Sequence, residues 1–211
     1  MPTETFGTPP SVAHLQQIGA DIQTLPADTA LFRIHAMGGT HWVHWHAFRG
    51  YGPTESRFDH HDPPPHEQAR KMMYVASDGP TCFAEYFQLS RRINRALKSP
   101  WLVTFHTIAP LTLLDLTGSW PTRAGGSQEI NTGDHPTCRA WSRAIYASYP
   151  EVDGLYYRSK MLGGRFSIAL YERAMRGIPS VPTLHYPLTH DDDAFQKTIA
   201  NAARAMGYDI I

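Results

Sequence analysis

The stretch GGTHWVHWHAFRGYGPTESRFDHHDPPPH, residues 38–66, constrains the fold more than any other part of the chain. Its glycines and prolines interrupt both helical and strand periodicity, so it reads mainly as irregular structure. An irregular segment of that length inside a compact domain is usually either functional or disordered. Five aromatic residues between positions 42 and 58 argue against disorder. The chain therefore carries a long, ordered loop, and the elements on either side have to hold it.

Those elements are mixed. Ser11 is an N-cap after Pro9 and Pro10, and Val12, Leu15, Ile18 and Ile22 follow at helical spacing until Pro26 ends the helix. TALFRIHA, residues 29–36, alternates as a strand and places Arg33 across the pleat from Phe32 and Ile34. KMMYVAS (71–77) is a short strand, and DGP turns into a helix expected over TCFAEYFQLSRRINRAL, residues 81–97, with Pro80 at a first helical position. Cys82, Tyr86, Leu89, Ile93 and Ala96 form its apolar stripe. Glu85 borders that stripe near the helix N-terminus, where the dipole favours a carboxylate. PWLVTFHTI and LTLLDLT read as strands and HPTCRAWSRAIYASYP as a helix. VDGLYYRS and RFSIALYERA read as strands about a KMLGG turn, and DDDAFQKTIANAARAMG as a final helix packing through Ala194, Phe195, Ile199, Ala202 and Met206. Without regular βαβ alternation, the pattern is that of an α+β fold. Three parts are expected: a helical extension over residues 1–28, a catalytic domain over 29–180, and a helical extension over 181–211 packing on the same domain.

Composition excludes some functions. With 19 basic and 19 acidic residues the formal charge is zero, so the strong electrostatic footprint of a nucleic-acid or anionic-membrane binder is absent. No apolar run reaches the roughly 18 residues of a membrane span. The beginning of the chain lacks the basic start and apolar run of a secretory signal. Two isolated cysteines, Cys82 and Cys138, suit a reducing compartment, and a cytoplasmic location is the default.

Twelve histidines raise the question of a metal. His44 and His46 would share a face of a strand, and His60, His61, Asp62 and His66 are further candidate ligands. The acidic partners of familiar metal-hydrolase motifs are missing at the expected spacings, and HHDPPPH reads as a surface turn. No metal is expected. A nucleophile elbow and a phosphate-cradling glycine loop are absent, and Cys82 lies on an apolar helix face as an inert thiol.

What remains is a set of polar residues punctuating the strands: Arg33, Arg57, Tyr74, Glu85 and Ser159. Singly each has a structural reading. In this order, within FRIH, SRFD, MMYVASDGPTCFAEYF and RAWSRAIYASYPEVDGLYYRSKMLGGRFSIALYE, they make the chain resemble the RES domain family from Phe32 to Glu172. Ser56 stands where the family often has glycine, and the histidine- and tryptophan-rich segment 41–51 has no counterpart we can align.

The resemblance implies a compact mixed-sheet core like that of ADP-ribosyltransferases, and cleavage of NAD as a substrate, with no true cofactor. It implies that Arg33 and Arg57 are pocket arginines, Glu85 the catalytic carboxylate, and Tyr74 and Ser159 substrate-binding residues. It also implies the toxin of a toxin–antitoxin pair, whose partner would be an antitoxin with a helix-turn-helix domain. The terminal helices are expected to pack against the core, with docking of that partner or of a second copy, as a homo-oligomer, the alternative. These residue types suit the chemistry. Breaking the nicotinamide–ribose bond passes through an oxocarbenium-like cation that a carboxylate stabilises. Guanidinium groups grip a pyrophosphate, and a tyrosine stacks on the nicotinamide. A mono-ADP-ribosyltransferase acting on a protein, a non-catalytic nucleotide-binding module and a histidine metalloenzyme are the competing readings.

Overall fold

The computed structural model describes residues 6–40 and 42–211. Eleven strands run in chain order as β1 Ile22–Leu25, β2 Ala30–Ala36, β3 Arg49–Gly52, β4 His66–Ala76, β5 Arg92–Ile93, β6 Pro100–His106, β7 Leu111–Asp115, β8 Gly154–Arg158, β9 Phe166–Tyr171, β10 Leu184–Pro187 and β11 Asp209–Ile210. The α-helices are α1 Val12–Ile18, α2 Gly79–Tyr86, α3 Trp120–Arg123, α4 His135–Ser148 and α5 Asp193–Met206. The architecture is α+β. One mixed sheet has the order β1-β7-β8-β9-β4-β2-β6-β10, with β3 also on β4, and β5 and β11 make a separate small pair. Within the large sheet only β7 and β8 are parallel, joined by a crossover through α4.

One irregularity of the sheet positions everything that follows. β2 pairs with β6 along its whole length, from Ala30 opposite His106 to Ala36 opposite Pro100. With β4 it is in register only at Phe32 opposite Ala76. Beyond that bridge β2 and β4 part. The face carrying Ile34 and Ala76 is covered by α2 and α5 through Phe83, Phe195 and Ile199. Further along the same sheet, α1 and α4 cover Met72 and Leu155 through Leu15, Trp141 and Ile145. The parting of the strands lies between these two packed regions.

Several boundaries differ from the sequence expectations. The first helix stops at Ile18, because Gly19 adopts φ 74° and donates its N–H back to the Leu15 carbonyl. Ile22 belongs to β1, which pairs antiparallel with β7, so the segment before Pro26 closes as an edge strand of the main sheet. α1 itself is buried through Leu15. The second helix ends at Tyr86 instead of Leu97. Arg91 takes φ 51°, the Ser90 hydroxyl accepts from the Arg92 N–H, and Ile93 pairs with β11. Leu89 and Ala96, expected on the buried stripe, are exposed. β4 begins at His66, five residues before the expected Lys71. Ala194 faces solvent, and Ala203 shares the packing of α5 with Phe195, Ile199 and Ala202.

The long segment contains β3 and sends several of its side chains into the interior, while others remain exposed. Trp45 and Phe48 are buried against Leu31, Met73 and Phe105 on the opposite face of the sheet. HHDPPPH does not begin as a surface turn, since His60 and His61 are fully buried. His61 lies so close to Gly52 that a Cβ there would stand 2.5 Å from its ring, which reserves the position for glycine. His41 and residues 1–5 lie outside the described residues.

Candidate active site

Arg33, Ile34, Tyr74 and Val75 are the residues just beyond the single β2–β4 bridge, and all four line a cavity of about 540 Å³. That volume is within the range of small-molecule sites. Because the strands part here, Arg33 reaches the cavity although it alternates with Phe32 and Ile34, which also line it. Arg57 and Glu85 complete the lining from the loop and from α2. Four of the five residues singled out in the sequence thus surround one space.

The fifth, Ser159, stands behind them. It does not line this cavity; its hydroxyl donates to Glu85 Oε1 at 2.6 Å. The same Oγ accepts from the Met161 and Leu162 backbone N–H groups, each at 3.1 Å. With both lone pairs engaged, its proton can point only at the carboxylate. Ser159 therefore orients Glu85.

Glu85 also differs from expectation in its setting. Since α2 ends at Tyr86, Glu85 occupies the last turn, where the helix dipole opposes a carboxylate. The hydrogen bond from Ser159 supplies the support that the helix end does not. Oε1 is committed to that bond, and among the described residues Oε2 has no hydrogen-bond donor.

Each arginine is held by one nitrogen. Arg33 Nη1 donates to the Trp45 carbonyl at 2.8 Å and the Ala47 carbonyl at 3.0 Å. This gives the segment 41–51 a role that the sequence did not disclose: it seats a pocket arginine. Burial lowers the Arg33 guanidinium to about 10, still protonated at neutral pH. Arg57 Nη1 donates to the Gly133 carbonyl at 2.5 Å and contacts Cys138 Sγ at 3.6 Å. The remaining guanidinium nitrogens of both residues make no hydrogen bond among the described residues, so each keeps donors for a ligand.

The loop carrying Arg57 is fixed by Asp59. Asp59 Oδ2 accepts from Arg49 Nη2 at 2.8 Å and from the Thr54 N–H and hydroxyl at 2.6 and 2.8 Å. Oδ1 accepts from the His61 N–H at 3.2 Å and pairs with its Nδ1 at 2.5 Å. Burial alone would raise the Asp59 pKa, but these bonds and the Arg49 charge hold it well below the usual carboxylate range. Tyr74 joins the loop to β4, its hydroxyl accepting from the Phe58 N–H at 3.1 Å. Burial first, and the Asp59 charge second, push the Tyr74 phenol upward, so it stays neutral.

Among the lining residues that the sequence did not single out are Tyr157, Ser167, His135 and Lys160. Tyr157 on β8 is buried, its ring edge-on to Phe58 at 4.7 Å. Burial and then the Glu85 charge push its phenol well above the ordinary value. Ser167 on β9 lies directly opposite Tyr157 and is 2% exposed. The period of two in LYYRS puts Tyr157 on the face of Ser159, and that signal was available. Ser167 had none.

Among the described residues no group of three or more His, Cys, Asp or Glu side chains has a metal-holding arrangement. His44 and His46 pack with Trp42 and Trp45 in the loop. Cys82 is buried and its thiol pushed up chiefly by burial, in keeping with an inert core residue.

Known proteins give two relationships. The RES domain model matches residues 30–210. A chain in the crystal structure of the M. tuberculosis MbcT–MbcA toxin–antitoxin complex superposes with a TM-score of 0.56 at 17% identity, covering 90% of this chain and 96% of that one. No curated protein matches. Among the described residues no helix is long and apolar enough to cross a membrane.

Proposed function

The chain belongs to the RES domain family, and from that premise we propose that it consumes NAD by breaking the nicotinamide–ribose bond, as the toxin of a toxin–antitoxin pair. The observation that carries the reading is the convergence of Arg33, Arg57, Tyr74 and Glu85 on one cavity, with Ser159 fastened to Glu85. The toxin role and an antitoxin partner are supported by the likeness to a chain of a toxin–antitoxin complex, and the helix-turn-helix domain of that partner is carried by the family resemblance alone.

In this reading the free guanidinium nitrogens of Arg33 and Arg57 hold the pyrophosphate. Two charge-assisted contacts of this kind fix the dinucleotide and leave its ribose beside Glu85. Tyr74, neutral and held at its hydroxyl by Phe58, offers its ring to the nicotinamide. As the C1′–N bond lengthens, its electron pair moves to the pyridine nitrogen and nicotinamide leaves neutral. Positive charge then develops on the ribose, and Glu85 Oε2 stands ready for it while Oε1 is held by Ser159. The exchange is completed at C1′ by a phosphate oxygen or by the oxygen of water, which gives up a proton to solvent as the C1′–O bond forms. No general acid is required.

The test is direct. Chelator-treated protein, freed of any bound partner, is expected to release nicotinamide from NAD. NAD left intact by micromolar protein over hours contradicts the reading.

A further inference from the structure

One face of the cavity is made by residues that lie directly opposite one another across four strands. Phe32 on β2 faces Ala76 on β4, Ala76 faces Ser167 on β9, and Ser167 faces Tyr157 on β8. All four line the cavity. Two are apolar and two are neutral hydroxyls; there is no cation in the row. Ser167 Oγ is buried and, apart from a weak interaction with the neighbouring Tyr157 phenol, makes no hydrogen bond among the described residues. A buried polar group without a partner is costly, and in a cavity the deficit is made good by whatever fills it. Tyr157 is the complementary group: its raised phenol keeps its proton, and its ring is fixed by Phe58.

We propose that Tyr157 and Ser167 form a subsite for a primary carboxamide, Tyr157 donating to its oxygen and Ser167 accepting from its nitrogen. The proposal rests on the reading of the cavity as a NAD site, and assigns this face to the nicotinamide end. Phosphate belongs with the guanidinium groups, and a ribose hydroxyl with the Glu85 carboxylate. What the row offers is an apolar wall with one neutral donor and one neutral acceptor. A flat aromatic ring bearing an uncharged amide matches both halves. Since nicotinamide departs neutral, a site that binds the neutral amide also holds the leaving group as the bond breaks.

The experiment compares NAD with its 3-acetylpyridine analogue, in which a methyl group replaces the amide nitrogen and the carbonyl is kept. Ser167→Ala is expected to raise KM for NAD about tenfold, equivalent to ~1.4 kcal/mol, and to leave KM for the analogue within about twofold. Tyr157→Phe removes a donor to the oxygen common to both and is expected to raise KM for both alike. Thermal unfolding of each variant controls for misfolding. An equal change for both substrates in Ser167→Ala, or none for either, overturns the proposal. Wild-type protein that leaves NAD intact sinks the functional reading alone. Calorimetric titration of free nicotinamide and 3-acetylpyridine then decides the subsite. Selective loss of nicotinamide binding in Ser167→Ala upholds it, and no nicotinamide binding by the wild type overturns it.

Discussion

Asp59 and Glu85 are two carboxylates serving one cavity, and they are built in opposite ways. Asp59 is fully buried and both its oxygens are filled, by Arg49, Thr54 and His61. Glu85 has one oxygen tied to Ser159 and the other without a donor among the described residues. The neighbours do not divide so cleanly. His61 is paired to Asp59 through Nδ1. Its Nε2 and both His60 nitrogens, like Ser167 Oγ on the cavity wall, are buried without a hydrogen bond of good geometry among the described residues. A saturated buried carboxylate holds backbone in place, and here it fixes the loop that delivers Arg57. A half-saturated one, oriented by a hydroxyl whose own bonds are complete, is prepared to meet something else. For these two carboxylates saturation, more than burial, separates the one that holds the loop from the one that faces the cavity.

Removing the scaffold carboxylate should have the largest effect. Asp59→Ala leaves Arg49, Thr54 and His61 without their shared acceptor, and is expected to cost ~3–5 kcal/mol of stability, read by denaturant unfolding. A loss below about 1 kcal/mol, the range of an ordinary surface change, would erase the distinction between the two carboxylates. The arginines come next. Arg33→Ala and Arg57→Ala are expected to weaken NAD binding by ~1.5–3 kcal/mol each, measured by titration, with lysine restoring little where two nitrogens grip one phosphate. Unchanged affinity in both variants would remove the pyrophosphate from this end of the cavity.

The smallest effect concerns acid, and it belongs to the scaffold. Burial, with His61 and Arg70 adding to it, lowers His60 to about 3. Burial lowers His35, whose Nε2 lies 2.8 Å from His185 Nε2, to about 4. Between these values and the ordinary 6.5 the unfolded chain binds more protons than the folded one, so stability falls as pH falls. The thermal midpoint should therefore be lower at pH 5 than at pH 7. An equal or higher midpoint at pH 5 would mean that these histidines are not held neutral in the folded protein.

The sequence disclosed much of the site because RES-type residues recur in a fixed order, and because strand and helix periods place side chains locally. Tyr74, Arg57 and Glu85 meet as their order implied. What it could not disclose depends on contacts between distant segments. Alternation puts Arg33 opposite Phe32 and Ile34, and only the parting of β2 from β4 lets all three reach one space. The length of α2 was overread because Leu89 and Ile93 continue its spacing, while Ile93 is claimed by β11 at the far end of the chain. His60 and His61 looked like turn residues because nothing local announces that Asp59 draws His61 inside. Ser159 was legible as a candidate, but its bond to Glu85 spans 74 residues, so the positioning of the carboxylate could not be read locally.

The central claim is that Glu85 works through its charge in the cavity, and one variant tests it most directly. In Glu85→Gln the shape and one hydrogen-bonding oxygen remain while the charge facing the ribose is lost. NAD turnover, NAD affinity and thermal unfolding are measured on the same preparation. The account predicts turnover reduced about 100-fold or more, with NAD binding kept and a folded protein shown by its unfolding transition. A folded Glu85→Gln protein that releases nicotinamide at more than about a tenth of the wild-type rate, a difference of under ~1.4 kcal/mol in the barrier, would contradict it.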